Sequence, residues 1–155
     1  MFHKIVFSIF IILALNSNST FPRQETQEKI QPGTACELKG VAKIFIDPKM
    51  EPADLTALRN ALRVGLPELK IVSKPEESDI HLRFGLEHHF GPEGRPRATP
   101  VGSAVKIIGP SEVKQLLCLK DWRIRYDVDH PPILLFAKYF ITEYQRANSR
   151  SGCER

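Results

Sequence analysis

The sequence predicts a single small α+β domain behind a cleavable leader. Alternating apolar segments recur between Gly and Pro clusters, as strands do. Other stretches, one early and one at the end, carry apolar residues at helical spacing. The very start stands apart as a short apolar run with a basic lead. The predicted order is β-α-β-β-β-β-α, a mixed sheet with the helices packed on one face.

Taken in order, Met1, His3 and Lys4 precede residues 5–15 (IVFSIFIILAL), which are almost wholly apolar. A helix of about 11 residues rises about 16 Å, too short for a hydrocarbon core of about 30 Å. The run therefore reads as a signal peptide over 1–19, with small residues Ser17 and Ser19 placed for cleavage, and no membrane span is expected to remain. Residues 20–35 are polar without a sustained period and read as a flexible leader. The domain is expected over 36–148, with a polar tail at 149–155.

Within it, VAKIFID (41–47) puts Ala42, Ile44 and Ile46 on one face and Phe45 on the other, a buried strand. Pro52 opens a helix whose stripe is Leu55, Leu58, Ala61 and Leu62, and Gly65 terminates it. Residues 69–73 form a second strand, followed by the corner Pro75, Glu76, Glu77, Ser78 and Asp79. Next, Ile80, Leu82, Phe84 and Leu86 alternate with His81, Arg83, Gly85 and Glu87, the pattern of a strand with one wet face. Residues 90–101 (FGPEGRPRATPV) read as a long exposed loop, and 104–108 as a further strand. Residues 111–126 fit either helix or strand; strand is chosen for 113–119, running loosely through Trp122. Asp129 and the following prolines start the closing helix, where Ile133, Ala137, Phe140, Tyr144 and Ala147 recur at helical spacing up to Asn148.

A chain of 155 residues with 42% hydrophobic and 26% charged residues can build one ordinary core. The net charge of +4 is spread among acidic residues, with no aromatics interleaved among the bases, so nucleic acid is not expected as a partner. Of the cysteines, Cys36 precedes the first strand, Cys153 lies in the tail, and Cys118 sits among leucines and is expected to be buried and inert. Three pairings are possible, with unpaired thiols as the alternative; Cys36 with Cys153 is the favoured disulfide in an oxidising compartment.

The segments LKGVAKIFIDP (38–48), DLTALRNALRVGLPELKIVSKPEESDIHLRF (54–84) and LLFAKYFITEYQRAN (134–148) resemble a diffuse group of small exported bacterial proteins of uncharacterised function. Their common mark is the corner of proline, acidic pair, small residue and aspartate. The arrangement is also similar to the amino-terminal domain of TolB and to envelope lipoproteins of comparable fold. That resemblance implies a role in protein contacts and assembly, with an envelope or extracellular protein as partner. No cysteine directly follows the apolar run, so a free periplasmic or secreted protein is implied.

Hydrolase, kinase and dinucleotide motifs are absent from the sequence: it has no Gly-x-Ser-x-Gly, no His-Glu-x-x-His and no phosphate-binding glycine loop. Glu87, His88 and His89, with His81, are the one concentration of metal-capable side chains. Adjacent strand residues face opposite ways, and His81 lies about 26 Å from His89 along an extended strand. Glu87 and His89 are the nearest pair sharing a face, too few ligands for a metal site. Asp121, Asp127 and Asp129 read as a solvated turn and cap. No catalytic residue, cofactor or metal is assigned. The expected function is a noncatalytic envelope or secreted module binding a protein or small ligand through the 90–101 loop, with Phe90, Arg95 and Arg97, or through a sheet face. The alternative is a small secreted hydrolase or toxin-like effector using Glu87 to His89. N-terminal sequencing of the exported product should begin at Asn18 or Thr20, and a mature product still starting at Met1 in the cytoplasm refutes the signal peptide.

Overall fold

The computed structural model describes residues 28–91, 93–120, 131–149 and 153, with the backbone alone at Pro96 and Arg97. The expected signal peptide, residues 20–27 of the leader, the segment 121–130 with Trp122 and Asp129, and most of the tail lie outside the described residues. The strands are β1 (Lys29–Pro32), β2 (Lys43–Ile46), β3 (Lys70–Val72), β4 (Ile80–Phe90), β5 (Pro96–Gly109) and β6 (Glu112–Lys120). The helices are α1 (Pro52–Gly65) and α2 (Pro132–Asn148), with short 3-10 turns at Ala35–Leu38 and Pro75–Glu77.

One mixed sheet has the order β1-β6-β5-β4-β2-β3. Strands β4, β5 and β6 form an antiparallel meander, while β1 lies parallel to β6, β2 to β4 and β3 to β2. The predicted β-α-β-β-β-β-α order is observed from β2 onward. Ahead of it, residues 29–32, read from sequence as leader, form an added edge strand. Its side chains are mostly exposed, and flanking backbone bonds from Lys29 N–H to Ser111 O and from Gly33 N–H to Gln115 O anchor it. A strand held through its backbone carries no hydrophobic period to read.

The apolar alternation of β2 and β4 lands as expected: Ile44, Ile46, Ile80 and Leu82 are buried on the helix-bearing face. There they meet Leu58 and Leu62 of α1 and Ile133, Phe136, Ala137, Phe140, Tyr144 and Ala147 of α2 in one continuous core. The α2 stripe comes so near the sheet that a Cβ at Gly102 of β5 would stand 2.2 Å from Phe136 Cδ2. The helices are equally close to one another, since a Cβ at Gly65 would stand 2.6 Å from Ile141 Cδ1. Gly65 does end α1, but its φ is not positive. Its smallness serves the α1–α2 contact, not a left-handed cap.

Polar bonds tie both ends of the domain to α2 and the sheet. Tyr144 donates its hydroxyl to Val41 O at 2.8 Å, and Asn148 Nδ2 donates to Leu38 O at 3.3 Å while its Oδ1 accepts from Gly40 N–H at 3.0 Å. The disulfide Cys36–Cys153, with Cα atoms 5.6 Å apart, closes the same corner, as the sequence favoured. A loop of this length restricts the unfolded chain by about 4–5 kcal/mol on chain-entropy grounds. In the acidic corner, Asp79 Oδ2 accepts from the amides of both Ala42 and Lys43 at 2.8 Å, holding the start of β2 beside β4.

Two sequence readings are corrected here. Residues 90–101 are not a long loop: β4 runs to Phe90, a turn closes with Gly91 N–H donating to Arg95 O at 2.9 Å, and β5 begins at Pro96. Pro96 and Pro100 are opposite Phe90 and Leu86 at positions that do not exchange ladder bonds with β4, so their missing N–H groups cost the hairpin nothing. Prolines there suggested a loop because proline is normally barred from strands. Cys118, read as buried, is exposed. It lies between Leu117 and Leu119, and alternation sends it to the outer face.

Phe140 and Phe136 are fully buried. Phe140→Ala should cost about 3–5 kcal/mol in chemical denaturation, while Lys138→Ala on the exposed side of α2 is nearly silent. Gly102→Ala should cost about 1–3 kcal/mol by pushing Phe136 away, and Gly85→Ala, with nothing near its Cβ, far less. Equal stabilities within either pair would refute this packing.

Candidate functional site

The antiparallel arm of the sheet is longer than the parallel arm. Strand β2 pairs with β4 only from Ile80 to Leu82, after which the chain turns away at Asp47 and Pro48 toward α1. Among the described residues, strands β4 and β5 continue as a two-stranded ribbon out to Phe90 and Pro96. Because even-numbered residues of β4 face the helices, Phe84, Leu86 and His88 extend the core face past the point where the helices cover it.

A cleft of about 620 Å³ opens there. One wall is Phe84, Gly85, Leu86 and His88 of β4. The opposite wall comes from the β2–α1 connection and the first turn of α1, with Lys49, Met50, Glu51 and Asp54, and Pro131 and Pro132 close the end at the start of α2. Met50 and Pro132 are buried, Phe84 is half-buried against Phe136 at 6.1 Å between ring centroids, and Leu86 is 48% exposed. An apolar floor with charged groups at the rim is the usual make-up of a binding cleft. Burial, and then the neighbouring Glu51 carboxylate, raise the Asp54 carboxyl above its ordinary value.

The sequence-predicted site residues do not gather here. Glu87 and His89 face the opposite side of the ribbon. Glu87 is bound to Lys120 Nζ at 2.5 Å, and the hydrogen bond from that ammonium holds its carboxyl below the usual range. His89 is exposed, with Nδ1 3.4 Å from the carbonyl of Glu87. His81 packs on Phe45, its Nε2 3.2 Å from Pro75 O, and burial pushes its pKa down. Phe90 is 79% exposed at the ribbon tip, Arg95 is exposed in the turn, and the Arg97 side chain lies outside the described residues. Among the described residues, no three His, Cys, Asp or Glu side chains converge in a way that could hold a metal ion.

On the outer face, Arg83 makes a two-pronged bond to Glu28 at 2.5 and 3.0 Å, and that hydrogen bond holds the Glu28 carboxyl below its ordinary value. Sequence reasoning passed over Met50 and Asp54, and it singled out His88 only as a member of the Glu87 to His89 cluster. The alternation of β4 placed His88 with Phe84 and Leu86, but nothing local announced that the residues after β2 would stand opposite them. Comparison with protein-family models finds no match, and comparison with the curated proteins finds no significant relative.

The thiol chemistry is directly testable. Native chain without reductant should show one accessible thiol, from Cys118, and none in Cys118→Ser. Three thiols titrating without reductant would remove the Cys36–Cys153 bond.

Proposed function

We propose that this chain is an exported, noncatalytic binding module of the bacterial envelope or secreted fluid, and that its partner engages the cleft between β4 and the start of α1. The cleft is the observation that carries the reading: its walls are apolar at the floor and charged at the rim, and rigid elements hold them. Of the two expected surfaces, the 90–101 segment with Phe90, Arg95 and Arg97 or a sheet face, this reading takes the sheet face, at Phe84, Leu86 and His88. Export rests on the apolar run at 5–15, and the Cys36–Cys153 disulfide supports an oxidising compartment. Kinship with the small exported proteins and with the amino-terminal domain of TolB belongs to the same proposal, as does a role in protein contacts. Against the hydrolase alternative, Glu87 is engaged by Lys120, and no nucleophile with a base beside it lines the cleft among the described residues.

A photo-reactive phenylalanine analogue at Leu86, expressed in the native exported compartment, should give a discrete adduct. The same group at Val64, 85% exposed on α1 and outside the cleft lining, should not. Identical adducts at both sites, or none at either, would overturn the cleft as the binding site.

A further inference from the structure

Resting on that reading, we infer that the cleft's occupant is an extended peptide segment of a partner protein, which adds as a strand to the open edge of β4. In this arrangement an apolar side chain of the peptide enters the cleft, and a basic one on the same face meets Glu51 and Asp54.

The argument starts from backbone direction. Leu82 O accepts from Asp47 N–H, so the N–H and C=O of Leu82 point toward β2. In a strand the groups of alternate residues point the same way, so those of Phe84, Leu86 and His88 point to that side too. Odd-numbered residues of β4 are the ones turned toward β5, a pattern that continues through Gly91 N–H to Arg95 O. Past Leu82, however, no strand lies beside β4 on the β2 side among the described residues. A row of donors and acceptors at strand spacing therefore faces outward, in line with β2 and directly beside the cleft. The ligand that satisfies such a row is another strand.

The ribbon's two edges are treated differently. On the β5 side, β6 ends level with Val101, and the backbone positions beyond it that face outward include Pro96 and Pro100, which have no N–H to offer. That edge is closed to strand addition. The β4 edge carries no proline from Phe84 to Phe90. The outer strands of the sheet, β1 and β3, have four and three residues, and β1 ends in Pro32. The β4 edge is thus the longest unguarded one among the described residues. The side chains of the same residues, Phe84, Leu86 and His88, line the cleft, so backbone affinity and side-chain selection coincide there.

The test uses the full disulfide-bonded chain and a synthetic library of decapeptides with alternating apolar and polar positions, some carrying lysine or arginine. A selected peptide should slow amide exchange at Leu86 and His88. N-methylation of one alternate set of its amides should lower affinity by about tenfold or more, and methylation of the other set should not. Leu86→Pro, which removes only an outward N–H, should keep the melting temperature within a few degrees and lose the peptide to the same extent; His88→Pro serves if that variant misfolds. Binding indifferent to N-methylation and to both prolines would overturn strand addition. So would the absence of any binding peptide, even while the Leu86 adduct persists and the cleft reading stands. Leu86 and His88 amides already protected in the free monomer, or protected by self-association, would assign the edge to this chain and also refute the proposal.

Discussion

The apolar stripe of α2 lying against one face of the sheet is the contact on which the rest of the molecule depends. Phe136 and Phe140 are fully buried there, and Gly102 leaves the room that lets Phe136 sit on β5. With α2 in place, Ile141 provides the surface on which α1 closes at Gly65, so both helices share one face. The same helix also holds the beginning of the domain, through Tyr144 on Val41 and Asn148 on Leu38 and Gly40. The disulfide reinforces a corner that packing and hydrogen bonds already define. Buried area supplies the bulk of the stabilisation, and the polar bonds fix which end of the chain goes where.

A second constraint is the mismatch in strand length. Strands β2 and β3 are short because prolines and turns end them at Pro48 and Pro75, whereas β4 and β5 run for eleven and fourteen residues. Among the described residues, the overhang leaves an apolar face without a helix above it and a ribbon with no strand paired to either edge. Prolines close one edge and leave the other available. The cleft and the open edge thus have one origin, the early departure of β2 from β4.

The sequence drew attention to Glu87, His88 and His89 as a cluster, and the strand divides that cluster between two faces. Glu87 and His89 go to the side where Lys120 neutralises the carboxylate, and His88 goes to the cleft. The residues that complete the cleft, Met50 and Asp54, carry no motif and come from a segment more than thirty positions away in sequence. Their proximity follows from the parallel pairing of β2 with β4, held by Asp79 on the amides of Ala42 and Lys43. Long-range pairing of this kind leaves no trace in local periodicity.

By itself the sequence determined the α+β class, the order of elements from β2 to α2 and the buried stripe of α2, and it favoured the pairing of Cys36 with Cys153 that the structure contains. Each is written in period, in turn residues or in the position of a cysteine relative to the apolar runs. Tertiary structure alone decided the rest. Strand β1 is held by backbone bonds to β6, which any polar sequence can make. Pro96 and Pro100 became strand residues because their nitrogens face away from β4, on a side where no strand pairs with β5 beyond Val101 among the described residues, a fact about neighbours and not about proline. Cys118 turned outward because a strand buries faces, not stretches. The cleft exists because β2 stops three residues into its pairing with β4, and only the assembled sheet shows where one strand outlasts another.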